Sequence, residues 1–230
     1  MSELKERLRE VQERIAEAAA RAGRSPEEIL LVAVTKTVPV ERIQEAIAAG
    51  VEHFGENRVQ EAEPKIEAIG HAVTWHFIGH LQSNKVRRAV AAFDWIQSVD
   101  GPKLLDRIER SARTLGRRPR LLIQVNVTGE PSKHGISPDR LKRLLDQAAP
   151  YEHVSIEGLM TIGPLTEDTE TIRSAFRRLR ELAEAVRQAN YPNVQMRHLS
   201  MGMSNDYEIA VEEGATMVRL GTAIFGPRPT

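Results

Sequence analysis

The sequence predicts a single α/β domain over residues 1–230, a TIM-type (β/α)8 barrel with an extra N-terminal helix. The first observation is that short apolar runs, typical of buried parallel strands, alternate with amphipathic segments along the chain. The second is that no Ser/Gly-rich or Pro-rich linker interrupts the 230 residues, a length common among single α/β barrels. Eight strand-then-helix units, counting a short or absent final helix, favour a closed barrel over an open doubly wound sheet.

The N-terminal helix is predicted from an apolar stripe in which residues recur at spacings of three and four. The stripe consists of Leu4, Leu8, Val11, Ile15 and Ala18. Gly23 ends this helix. A second helical start follows, because Ser25 is a good N-cap, Pro26 suits the first helical position and Glu28 completes a capping box.

The remaining apolar runs predict eight strands in order. They are ILLVAVTK, EHFGE, WHFIGH, DWIQSVD, RLLIQVNV, SIEGLMTIG, MRHLSMG and MVRLGTAIFG. Helical periodicity predicts the segments between them, namely VERIQEAIAAG, RVQEAEPKIEAI, NKVRRAVAAF, PKLLDRIERSARTLG, SPDRLKRLLDQAA, a long helix from Asp168 to Gln188, and NDYEIAVEEG. Gly50 stands just past the first of these helices, where glycine commonly ends a helix.

Composition limits the classes of function. Lys and Arg total 32, as do Asp and Glu, and this balance argues against a nucleic-acid partner, which needs a basic surface. The absence of cysteine excludes disulfides, thiolate metal sites and a cysteine nucleophile. No apolar run approaches a membrane span, and the charged start lacks the core of a signal peptide, so we expect a cytoplasmic protein with no membrane partner. Asp and His residues show no metal-ligand spacing, so no metal is predicted.

Barrel active sites lie at the carboxyl ends of the strands, so the residues that follow each predicted strand are the candidates for chemistry. They are Lys36, Glu56, Asn57, His80, Gln82, Ser83, Asn84, Asn126, Met160, Thr161, Ser200, Arg219, Gly221 and Thr222.

The loops after the last two strands predict a phosphate site. Their sequences, SMGMS and RLGTA, supply small hydroxyls and glycines, and a helix begins near Ser204–Asp206. Strand one, which ends at Lys36, is the neighbour of strand eight once the barrel closes. An amine beside a phosphate site suits a phosphorylated aldehyde cofactor, of which pyridoxal phosphate (PLP), bound as a Schiff base, is the common case. Arg219 is cationic and has no acceptor, so facing the ring nitrogen it would keep that nitrogen unprotonated.

Several motifs together resemble the pyridoxal phosphate homeostasis protein family, also called the YggS/PROSC family. They are AVTKTVP, HFGENRVQE, WHFIGHLQSNK, GLMTIG and LSMGMSNDYEIAVEEGATMVRLGTAIFG, and they span nearly the whole chain. The barrel of this family resembles the N-terminal domain of alanine racemase, a fold type III PLP-binding barrel. Two positions depart from the family pattern, since Val38 replaces a second lysine of some relatives and His134 stands where a small residue is usual.

The resemblance implies PLP on Lys36, its phosphate on Ser200, Gly221 and Thr222, and Arg219 at the ring nitrogen. Asn57 and Met160 complete the predicted cofactor-binding set, and no catalytic residue is predicted. The resemblance further implies a carrier or regulator of PLP supply without efficient turnover. A complete barrel with polar helices can stand as a monomer, so we expect a monomer, with PLP-dependent apo-enzymes as partners. Lys133 is a candidate for an outer, weaker cofactor contact, and the role of His80 stays open.

Other interpretations remain at this point. One is a PLP-dependent racemase-like enzyme, although racemisation needs acid/base groups on both faces of the substrate carbon and no second domain is expected after the eighth strand. Another is a barrel enzyme that acts on a phosphorylated sugar. Asn57 could simply cap a helix, and Arg219 could be an ion-pair partner of Glu56 or Glu208.

Overall fold

The computed structural model describes residues 2–227 and shows a closed barrel of parallel strands. The strands are β1 Leu30–Val34, β2 His53–Glu56, β3 Thr74–Phe77, β4 Trp95–Val99, β5 Arg120–Gln124, β6 Ser155–Met160, β7 Val194–Ser200 and β8 Met217–Leu220. Each strand pairs with the next along the chain, and β8 pairs with β1 through Val32 and Arg219, among other residues. The predicted (β/α)8 barrel is therefore confirmed.

Helices surround the barrel. They are α1 Glu3–Arg21, α2 Val40–Ala48, α3 Val59–Ile69, α4 Val86–Ala92, α5 Pro102–Leu115, α6 Leu141–Ala148, α7 Thr169–Ala189, α8 Tyr207–Glu212 and α9 Thr222–Phe225. The extra helix α1 buries its predicted apolar stripe and packs against α8 and α9. Ion pairs add to this contact, since Arg21 lies 2.7 Å from Glu212 and Arg14 lies 3.0 Å from Glu208. Within the described residues, no helix is both long and apolar enough to cross a membrane.

Most predicted strands extend a few residues beyond the observed ones, and two predicted elements differ more strongly from the structure. The capping box at Ser25 starts only one 3-10 turn, Pro26–Glu28, because the backbone enters β1 at Leu30 directly afterwards. The predicted eighth strand, MVRLGTAIFG, is too long. It ends at Leu220, and the amides of Phe225 and Gly226 bond back to Gly221 and Thr222, which closes α9. Gly221 and Thr222 therefore form a turn at the carboxyl end of β8.

Most of the core lies between the barrel and its helices, and a smaller apolar cluster fills the inside of the barrel. That inner cluster consists of Trp95, Leu122, Met160 and Met217. Polar residues share the interior with it, namely His76, Gln97, Ser200 and Arg219, each at most 4% exposed. Because buried polar groups need hydrogen-bond partners, these residues bond to one another. Gln97 Nε2 lies 2.9 Å from His76 Nδ1, and the contacts of Ser200 and Arg219 are described below.

Candidate cofactor site

Lys36 lies in a turn directly after β1. The turn is closed by the amide of Val38, which donates to the carbonyl of Thr35 at 2.9 Å. Lys36 is half-buried and lines a cavity of about 210 Å³ together with Gly221 and Thr222. The pairing of β1 with β8 brings these three predicted residues to one place.

The backbone on both sides of Lys36 is held by a buried ionic network that reaches α3. The ammonium of Lys65 donates to the carbonyl of Thr35 at 2.7 Å and to the Glu56 carboxylate at 2.7 Å. The Thr35 hydroxyl donates to the same carboxylate at 2.6 Å. Glu61 accepts a hydrogen bond from the amide of Thr37, a residue whose φ of 62° is unusual outside glycine. These contacts position the Lys36 turn.

Sequence patterns do not reveal this network. Lys65 lies on an amphipathic helix, where a lysine is ordinarily exposed, yet its side chain is only 9% exposed here. Burial raises the pKa of the Glu56 carboxyl, while the Lys65 ammonium and the Thr35 hydroxyl act in the opposite direction. Glu56 therefore ties the strands to α3 and has no part in the predicted cofactor set.

Arg219 lies inside the barrel, and each of its two terminal nitrogens donates a hydrogen bond. Its guanidinium donates to the Ser200 hydroxyl at 2.6 Å and to the Thr161 carbonyl at 2.8 Å. The Ser200 hydroxyl in turn donates to Gln97 at 2.6 Å. Burial lowers the pKa of Arg219 to about 10, and the nearby Asp206 carboxylate opposes this shift. The guanidinium therefore stays protonated at neutral pH.

The alternative ion pairs considered for Arg219 do not occur. Glu56 is paired with Lys65, and Glu208 is paired with Arg14 and Arg21 on α1. Among residues 2–227, Arg219 is thus held by neutral groups, and the Asp206 carboxylate acts on its charge without a direct contact. Such a cation is suited to face an electron-rich partner at the barrel mouth.

Ser200 and Thr222 do not bond to the same partners, although the sequence predicts both as phosphate ligands. Ser200 has no exposed surface, and within the described part of the chain its hydroxyl bonds to Arg219 and Gln97 inside the barrel. The Thr222 hydroxyl donates to the Ser204 hydroxyl at 3.1 Å, and the amide of Ala223 lies 3.4 Å from the same oxygen. Ser204 is therefore the serine beside Gly221 and Thr222. The one signal for it was its place at the predicted helix start of the SMGMS loop.

Asn57 and Met160, the other two residues of the predicted cofactor set, lie in different parts of the barrel. Asn57 follows β2, and its Oδ1 is buried with no hydrogen-bond partner among the described residues. A Cβ at Gly79 would lie 2.2 Å from the Asn57 carbonyl oxygen, so glycine is required there. Met160 is the last residue of β6 and packs in the inner cluster, at 1% exposed, where it contributes to the floor of the barrel mouth.

Lys133 and Asn126 belong to the loop after β5. The Lys133 ammonium donates to Glu130 at 2.6 Å and to the Gly163 carbonyl at 2.9 Å. The Asn126 amide donates to the Glu130 carbonyl at 2.8 Å. Both side chains fasten this loop, and Lys133 stays an untested candidate for an outer contact.

The fold and the site define a class, the barrel of the alanine racemase N-terminal domain. A family model with the description "Alanine racemase, N-terminal domain" matches residues 7–229. Alanine racemase from Corynebacterium glutamicum shares the fold, with a TM-score of 0.68 and 19% identity over 96% of this chain and 61% of that one. At this identity the likeness concerns the fold alone.

Relatives that match over nearly their whole length show to which family within this fold class the chain belongs. The pyridoxal phosphate homeostasis protein of Aquifex aeolicus is 46% identical over 224 residues, 97% of each chain. That of Escherichia coli K12 is 40% identical over 232 residues, 99% of this chain and 98% of that one. This chain belongs to the pyridoxal phosphate homeostasis protein family, as its motifs predict.

Solved structures agree with this assignment. PipY from Synechococcus elongatus without PLP has a TM-score of 0.85 and 43% identity, covering 94% of this chain and 99% of that one. PipY with PLP bound has a TM-score of 0.82 and 44% identity, covering 92% and 100%.

Proposed function

We propose that this protein binds PLP through Lys36 and acts in intracellular PLP homeostasis, as a carrier or regulator without efficient turnover. The observation that carries the proposal is that Lys36, Gly221 and Thr222 line one cavity where β1 meets β8. The relatives named above support it, since one of them, PipY, has been solved with PLP bound. The protein would act in the cytoplasm as a single-domain monomer and pass PLP to PLP-dependent apo-enzymes.

The residues present suit such a cofactor. Lys36 supplies a half-buried primary amine, and the hydroxyls of Thr222 and Ser204 lie together on the facing turn. Arg42 lines the same cavity, and its guanidinium, which pairs with Glu45, adds further donors near a bound phosphate. The unpartnered Asn57 Oδ1 is a buried acceptor that a ligand group could satisfy.

PLP, when bound, supplies an aldehyde that condenses with a lysine amine and a pyridine ring that withdraws electrons. The Lys36 amine would hold the aldehyde carbon, and the turn with Gly221 and Thr222 would hold the phosphate. Arg219 would donate a hydrogen bond to the ring nitrogen, and, having no acceptor and remaining protonated, it would deny that nitrogen a proton. The chain would therefore bind the cofactor firmly while weakening its electron-withdrawing power.

A racemase-like activity is the second candidate, and the barrel shared with alanine racemases favours it. The positive charge of Arg219 opposes this activity, because a cofactor ring whose pyridine nitrogen is unprotonated stabilises a carbanion at the substrate carbon poorly. Turnover is thus the property that separates the two functions.

The phosphate contacts give a first prediction. Thr222→Ala and Ser204→Ala should each weaken PLP binding by roughly 10- to 150-fold, because a hydrogen bond to a charged group contributes about 1.5–3 kcal/mol. The affinity for unphosphorylated pyridoxal should fall far less. Fluorescence titration with both ligands measures the difference, and Thr114→Ala, at an exposed hydroxyl on α5, is the matched control.

Ser200→Ala separates the two serines in the same experiment. If Ser200 acts on Arg219, this variant should weaken PLP and pyridoxal alike. A phosphate-specific loss for Ser200→Ala, with Ser204→Ala unchanged, would assign the phosphate to Ser200 as the sequence predicts.

Transfer of the cofactor tests the proposed function itself. The PLP-loaded protein is mixed with a PLP-dependent apo-enzyme in the presence of a phosphatase that destroys free PLP. We expect the apo-enzyme to regain activity, because cofactor held in the Lys36 cavity is protected until it is released. Recovery no better than with the same amount of free PLP would contradict a carrier role.

A further inference from the structure

Three loops at the mouth of the barrel bring together two histidines and an aspartate. His80 follows β3, Asp100 follows β4 and His134 lies in the loop after β5. One ligand atom from each lies within 4.8 Å of the others. The Nδ1 of His80 is 3.3 Å from Asp100 Oδ2, and the rings of His80 and His134 are stacked with centroids 4.0 Å apart.

This cluster is separate from the cofactor cavity. In the closed strand order, β4 stands opposite β8, so the cluster and the Lys36 turn lie on opposite sides of the mouth. None of the three residues lines the cavity that contains Lys36. Asn57, a residue of the predicted cofactor set, lines another cavity with His80, and the metal proposal does not rest on that set.

The backbone that carries His134 is held in place. The Gln124 side chain donates to the His134 carbonyl at 3.2 Å. At the adjacent Gly135, with φ of 121°, an added Cβ would lie 2.7 Å from the Asn126 amide nitrogen, so only glycine fits. The approach of His134 to His80 therefore follows from the way the loop is fixed to β5.

The two histidines of the cluster have ring nitrogens that could bind a metal ion. Among residues 2–227, the ring nitrogens of His134 have no hydrogen-bond partner, and His80 uses one nitrogen toward Asp100. The His80 side chain is 45% exposed and that of Asp100 is 20% exposed, so an ion can reach both from solvent. Metal–ligand bonds of about 2.0–2.2 Å require ligand atoms about 3.4 Å apart in a tetrahedral site. Because the two rings are stacked with an interplanar angle of 12°, each exposed imidazole has to tilt out of the stack to aim a nitrogen at a shared ion.

We propose that His80, Asp100 and His134 bind a divalent transition metal of the zinc type. Two imidazoles and a carboxylate suit Zn²⁺ and its neighbours, whereas Mg²⁺ and Ca²⁺ prefer oxygen ligands alone. Three protein ligands leave a fourth position, which faces solvent. The proposal replaces the sequence prediction of no metal, which rests on ligand spacing along the chain and cannot detect three ligands on three loops.

Zinc titration of the full chain tests this site. Isothermal titration with Zn²⁺ should give one site per chain, and His80→Ala, His134→Ala and Asp100→Asn should each weaken it at least about 10-fold, since even residues that only support metal ligands cost 10- to 100-fold. His153→Ala is the matched control, because His153 also pairs with a carboxylate, Glu109 at 2.9 Å, but has no second histidine.

Two further measurements keep the result independent of PLP. The Lys36→Ala variant, freed of cofactor, should bind Zn²⁺ as tightly as the cofactor-free wild type, which shows that the metal is held neither by Lys36 nor by PLP. Co²⁺ should give the visible spectrum of a tetrahedral ion in the wild type and lose it in His134→Ala. Absence of a zinc site at micromolar concentration, or equal affinity in wild type and all three ligand variants, would overturn the proposal.

Discussion

Lys36→Ala is expected to abolish the visible absorbance of the lysine-linked cofactor while the protein stays folded. The reason is chemical, because alanine offers no amine to the PLP aldehyde. The fold should persist because the turn is fastened through neighbouring groups, the Thr35 carbonyl to Lys65 and the Thr37 amide to Glu61. Absorbance spectra and circular dichroism of wild type and variant measure the two effects.

Two other lysines serve as controls for this variant. Lys103→Ala, at an exposed position on α5, should leave the visible band unchanged. Lys133→Ala should also retain it, because the Lys133 ammonium is engaged with Glu130 and the Gly163 carbonyl. Borohydride reduction followed by peptide mapping should place the cofactor on the peptide that contains Lys36. A band that survives in Lys36→Ala, or a label on another lysine, would refute the assignment.

The fold was predictable because its signals are local and repeated. Each strand is a short apolar run and each helix an amphipathic stripe, and alternation alone implies a parallel sheet. The boundary of β8 was not predictable in this way. Its apolar residues continue as far as Phe225, and only the hydrogen bonds to Gly221 and Thr222 show that the chain turns into α9.

The site was predictable only in part, because pairing and side-chain direction depend on the closed barrel. The meeting of Lys36 with Gly221 and Thr222 follows from β1 pairing with β8, which barrel closure requires. The direction of Ser200 does not follow from sequence. In β7 the last two residues, Leu199 and Ser200, are both buried, so simple alternation cannot assign the serine to the interior.

Sequence patterns also fail to predict contacts between segments that are distant along the chain, because these contacts depend on the closed barrel. Lys65 is unremarkable within its helix, and its burial becomes evident only when α3 is placed beside Thr35 and Glu56. His80 and His134 likewise meet because β3 and β5 flank β4 in the barrel. In the sequence these side chains look like ordinary exposed residues, and their partners become visible only in the tertiary structure.

Arg219 underlies the second large effect, the expected absence of amino-acid turnover. The guanidinium is fixed by Ser200 and by the Thr161 carbonyl, and a pKa of about 10 keeps it charged at neutral pH. Facing the ring nitrogen, it would leave the ring unprotonated and unable to stabilise a carbanion effectively. Added amino acids should therefore displace the Lys36 linkage slowly and be released without loss of their Cα hydrogen.

Deuterium exchange at Cα of L- and D-alanine and a panel of other amino acids tests the central claim most directly. The assay uses stoichiometric protein and excess PLP in heavy water, with nuclear magnetic resonance as the readout and free PLP as the background. Typical enzymes turn over about 1–1,000 times per second, and we predict exchange that is orders of magnitude slower and close to the background. Exchange at an ordinary enzymatic rate for any of these amino acids, lost in Lys36→Ala, would contradict the homeostasis function and identify a racemase-like enzyme.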